Sequence, residues 1–86
     1  MGYDLRTGVS TAETDVGLTL LDEGSGEYFN VNPTGALVLR VLLDGGTLDD
    51  AVERLMAAYD VDRETAEADV RDLVSALESA RLVVDG

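Results

Sequence analysis

Glu27-Tyr28-Phe29-Asn30-Val31-Asn32-Pro33 is the stretch on which the fold turns, because a strand-forming run stops at a dipeptide suited to starting a helix. Tyr28, Phe29 and Val31 favour a pleated, half-buried backbone. Asn32 can cap orphan helix N–H groups, and Pro33 fits the first helical turn, where its missing donor costs nothing. Upstream, Val16-Gly17-Leu18-Thr19-Leu20-Leu21-Asp22 reads as a second strand. The two runs flank Glu23-Gly24-Ser25-Gly26, a turn signal with two glycines, and so predict a hairpin. Val9 to Glu13 is short and β-branched in part, and adds a first strand to make a three-stranded meander.

Downstream of Pro33 the pattern becomes helical. Thr34 to Leu43 is apolar nearly all round, with Arg40 its one charge, so this helix has to be covered on most sides. Asp44-Gly45-Gly46 stops it. Thr47 with Asp50 three residues later signals a second helix start, and Leu48, Ala51, Val52, Leu55, Met56 and Tyr59 recur at helical spacing. Asp62 then caps a third helix with the stripe Ala66, Val70, Leu73, Val74, Leu77 and Ala80. Leu82-Val83-Val84 leaves it in extended form. The order predicts an α+β, winged-helix-like fold: a small three-stranded antiparallel sheet followed by three helices. Size scaling gives a chain of 86 residues room for one core, so residues 1–86 are read as one domain.

Charge and composition narrow the function. There are 18 acidic residues against six basic ones, all arginine, for a net charge of −12. Nucleic acid is bound by releasing counterions with Lys and Arg, and the arginines here stand singly along the chain. DNA and RNA are therefore disfavoured, as are anionic membrane surfaces. With neither Cys nor His, thiol nucleophiles, imidazole acid–base chemistry and the usual zinc and haem ligands are missing. Ser10, Ser25, Ser75 and Ser79 have no His or Lys to activate them. No catalytic residue, metal ligand or cofactor is expected, and the dense acids read as helix caps and solvated helix faces. The absence of a long apolar run or a secretory leader predicts a cytoplasmic protein.

Two binding classes survive beside the charge-disfavoured winged-helix DNA binder. One is an acidic carrier or scaffold protein, although no Ser follows an Asp in the manner of a carrier's attachment site. The other is a peptide-binding module. A small sheet leaves unpaired N–H and C=O groups on its edges, and an edge beside a helix offers a slot for an added strand.

The chain resembles the PqqD-like proteins, the leader-peptide recognition domains of ribosomal peptide biosynthesis. Tyr28 to Asn32 is similar to the family's strand ending in an aliphatic–Asn pair, and Ala36 to Leu39 to its small-then-aliphatic helix start. Asp44-Gly45 with Thr47-Leu48 resembles its helix link. Asp69-Val70, Leu73, Leu77 and Arg81-Leu82-Val83 resemble its last helix and exit. Two departures stand out: Arg81 occupies a place where the family often has Gly, and the interval from Asn32 to Gly45 is about a residue longer. Within the family the chain is most similar to the stand-alone leader-binding protein of lasso-peptide clusters.

The resemblance implies a non-catalytic, monomeric protein that takes a precursor leader peptide as an added strand. It further implies delivery to a leader protease, and to a cyclase of the same pathway. The implied peptide-binding residues are Tyr28, Phe29, Asn30 and Val31 on the strand, and Asp69, Asp72, Leu73, Ala76, Leu77 and Ala80 on the last helix.

Overall fold

The computed structural model describes residues 3–15 and 17–85, so the expected strand start at Val16 lies outside the described residues. In chain order the elements are β1 (Tyr3–Leu5), β2 (Val9–Thr14), β3 (Gly17–Asp22), β4 (Tyr28–Val31), α1 (Pro33–Leu43), α2 (Leu48–Ala58), α3 (Arg63–Ser79) and β5 (Val83–Asp85). The expected three-stranded antiparallel sheet is β2-β3-β4, and the three expected helices follow it. Leu18 pairs with Val31 and Leu21 with Tyr28 across β3 and β4.

Local chemistry explains each helix boundary. The Asn32 side chain accepts the Gly35 N–H at 2.8 Å, and Pro33 takes the first helical position. Thr47 and Asp50 form a reciprocal capping box, at 3.0 Å from the Asp50 N–H to the Thr47 hydroxyl and 2.9 Å from the Thr47 N–H to the Asp50 carboxylate. Asp62 accepts the Thr65 N–H at 2.8 Å. At the end of α1, Gly45 adopts φ +93° while Gly46 N–H reaches back to Val41 C=O at 2.9 Å. Those are the two features of a left-handed helix terminus that glycine accommodates without a Cβ clash.

The sequence reading missed β1, a three-residue strand too short to show an alternation. It pairs antiparallel with β5, Leu5 opposite Val83, and forms a second, two-stranded sheet. Arg6 fastens this ribbon to the rest. Its backbone N–H donates to Leu82 C=O at 3.0 Å, and its side chain donates to Arg81 C=O and to the Asp22 carboxylate, the latter at 2.9 Å.

The nearly all-apolar α1 is covered as its composition requires. Ala36 and Leu39 join Leu18, Leu20, Val31, Leu77, Leu82 and Val83 in a core beneath the sheet. Val38 and Leu42 point the other way, into a core shared with α2 and α3 through Ala51, Val52, Leu55, Ala66, Val70 and Val74. Each fully buried leucine of this kind contributes about 1.5–3 kcal/mol relative to exposure. Leu73 touches both cores and so marks where α3 passes from one to the other.

Candidate peptide-binding site

The open side of β4 follows from its register. Asp22 N–H donates to Glu27 C=O at 2.9 Å, which makes that cross-strand pair a hydrogen-bonded one. Bonded and non-bonded pairs alternate along antiparallel strands, so Leu20–Phe29 and Leu18–Val31 are the next bonded pairs. Tyr28 and Asn30 consequently turn their N–H and C=O groups away from β3. Among the described residues, no strand pairs with β4 on that side. The window is short, because Asn32 is committed to capping α1 and Pro33 has no donor.

Side chains on β4 also alternate, between the two faces of the sheet. Val31, 5% exposed, belongs to the core, and Phe29 is half-buried against it. Tyr28 lies on the outer face at 70% exposure. Asn30 shares that face, where its carboxamide oxygen accepts the Thr19 hydroxyl at 2.7 Å.

Of the α3 residues expected to face a peptide, Leu77 is a core residue at 1% exposure, and Leu73 is half-buried. Asp69, Asp72, Ala76 and Ala80 are exposed. Asp69, Asp72 and Leu73 come together with the start of α1 around a cavity of about 280 Å³, whose other lining residues are Asn32, Thr34, Gly35, Val38 and Leu55. Ala76 and Ala80 continue the same helix face beyond this cavity, and none of the β4 residues Tyr28, Phe29, Asn30 and Val31 lines it.

Asn32, Thr34, Val38, Leu55 and Gly35 line the cavity although sequence reasoning placed none of them at the site, and Gly35 is the one whose missing side chain shapes it. A Cβ there would approach Val31 Cγ1 to 2.6 Å and Leu73 Cδ2 to 3.5 Å, so the absent side chain lets the strand end, α1 and α3 converge. The available signal was a glycine in the first turn of an otherwise apolar helix, where propensity alone disfavours it.

The site is electronegative. Arg6, Arg40 and Arg63 are engaged with Asp22, with Glu13, and with Asp49, Glu53 and Glu67. Among the described residues, neither Asp69 nor Asp72 has an ion-pair partner. Two acids outside the cavity are held below the ordinary carboxylate value of 3.8. At Asp22 partial burial pushes the pKa up, but the Gly24 amide, the Arg6 guanidinium and Ser25 outweigh it. At Asp62 the Thr65 hydroxyl and amide stabilise the anion. Among the described residues no group of three or more acids gathers to hold a metal ion, and no helix is long and apolar enough to cross a membrane.

Two solved structures are similar over nearly the whole chain. One is described as "Lasso peptide synthetase B1 complexed with the leader peptide"; it is 39% identical, with a TM-score of 0.91, over 98% of this chain and 99% of that one. The other, "TbiB1 in Complex with the TbiA(beta) Leader Peptide", is 31% identical with a TM-score of 0.84 over 93% of each chain. A search of curated proteins finds no match. Residues 17–83, from the first residue of β3 into β5, match the family described as coenzyme PQQ synthesis protein D. That match, over the β3–β4 hairpin and the three helices, places this chain in the PqqD family.

Proposed function

We propose that this protein binds the leader segment of a ribosomally made precursor of the lasso-peptide type, accepting it as a fourth strand on the outer edge of β4. The observation that carries the reading is the outward pair of backbone N–H and C=O groups at Tyr28 and Asn30. Their hydrogen bonds with an added strand contribute about 0.5–1.5 kcal/mol net each and fix its register. Tyr28, Phe29, Asn30 and Val31 form the docking edge. Asp69, Asp72, Leu73, Ala76 and Ala80 form the opposing wall, with Leu77 supporting it from the core. The two similar proteins solved with leader peptides support this reading.

Binding is the whole of its chemistry in this account, since the chain carries no Cys, His or Lys to supply a nucleophile or base. Removal of the leader falls to a separate protease, to which this protein delivers the precursor as a monomer. The test is calorimetric titration of the purified protein with the leader of its cognate lasso-type precursor, followed by mass spectrometry of the mixture. One-to-one binding with the peptide left intact is expected. Cleavage by this chain alone, or no binding, would overturn the proposal.

A further inference from the structure

The outer face of the sheet carries a feature that edge pairing alone does not use. Tyr28 is the most exposed large apolar side chain among the described residues, at 70%. It stands opposite Leu21, itself half-buried, in a non-hydrogen-bonded pair, the arrangement in which cross-strand side chains lie closest. No described helix covers this face: α1 packs on the other side, over Leu18 and Leu20. The next residue of β4 on the same face, Asn30, is polar and already engaged with Thr19.

We infer that Tyr28, backed by Leu21, forms a second recognition site for the bound peptide on the outer sheet face, taking an apolar or aromatic side chain. The inference rests on the edge-pairing reading above, and adds which leader residues are read and by what. An added strand continues both faces of the sheet that it joins. Because the backbone groups of Tyr28 itself point to the open edge, a residue of the added strand pairs directly beside it. That residue projects its side chain to the outer face whether the strand runs parallel or antiparallel. Its two sequence neighbours project inward, toward Phe29 and the wall of α3.

The peptide is therefore read from both sides. An apolar residue sits beside Tyr28, apolar or small residues adjoin it on the inner face, and a polar residue is accepted beside Asn30. Cross-strand aromatic pairs favour such contacts, and loss of the ring should weaken binding about five- to tenfold.

The test uses a displayed library of random dodecapeptides, selected on the parent protein and on Tyr28→Thr. Threonine keeps strand propensity, and the exposed ring contributes little to the core, so the variant should fold. Amide exchange of both proteins, free and bound, establishes the fold and the docking edge independently of affinity. Peptides selected on the parent should protect the Tyr28 and Asn30 amides and share an apolar residue at one position. On Tyr28→Thr they should bind about five- to tenfold more weakly, and fresh selection should lose that one preference while keeping the inner ones. If the peptides protect the edge but bind both proteins alike with the same preferences, the outer site is overturned and edge pairing stands. If no selected peptide protects the two amides, edge pairing fails and the outer site with it.

Discussion

Arg81 adopts φ +60°, the left-handed region that favours glycine, directly after the α3 C-cap at Ala80. Its N–H donates to Glu78 C=O and that of Leu82 to Leu77 C=O, each at 3.0 Å, the paired bonds of a Schellman helix terminus. The family resemblance anticipated Gly at this position. The geometry shows why, since a Cβ in this conformation is strained. Arg81 is tolerated because Leu82 is buried with Leu77 and Arg6 grips the Arg81 carbonyl. Arg81→Gly should therefore stabilise the fold by about 0.5–1 kcal/mol, the relieved strain exceeding the added freedom of the unfolded chain. Thermal unfolding measures it, and a lower melting temperature would count against this reading of the turn. The Arg6 contact to Arg81 was not legible in the sequence, because it joins residues 75 positions apart.

Among the elements, the strand–turn–strand signal and the three helix starts were legible because each is written in local chemistry: two glycines in a turn, Asn-Pro, a capping box and a capping Asp. β1 was not, since a three-residue strand has no periodicity to detect and pairs only with the chain's other end. The site was legible in part. The family resemblance pointed to the β4 edge, whereas which of its amides face outward follows from the register. The sequence left Leu77 between core and groove, and did not reveal that Gly35 brings α1, α3 and the end of β4 together.

The alternation gives a paired prediction. Asn30→Pro removes a donor facing the open edge, where proline is tolerated, so the fold should persist while leader affinity falls at least about tenfold. Phe29→Pro removes a donor directed at β3, so the sheet itself should be destabilised. Circular dichroism with calorimetry separates the two. Equal destabilisation by both would mean that the deduced facing of β4 is incorrect.

For the whole molecule, the net charge of −12 acts on encounter more than on the bound complex. At physiological salt the screening length is about 8 Å, so under the proposed function exposed carboxylates such as Asp69 and Asp72 would chiefly steer a basic peptide's approach. With a basic leader, the association rate measured by stopped flow should fall as salt rises. Asp69→Asn with Asp72→Asn should flatten that dependence while changing dissociation little. A salt-independent rate in the parent protein would remove the steering argument.

The central claim, that a leader peptide completes the sheet at β4, is tested most directly by residue-resolved amide hydrogen exchange with and without saturating leader. In the free protein the Phe29 and Val31 amides should already exchange slowly, being bonded to β3, while those of Tyr28 and Asn30 exchange fast. On binding, Tyr28 and Asn30 should become protected together. Saturated binding that leaves both at their free exchange rates would contradict strand addition at this edge.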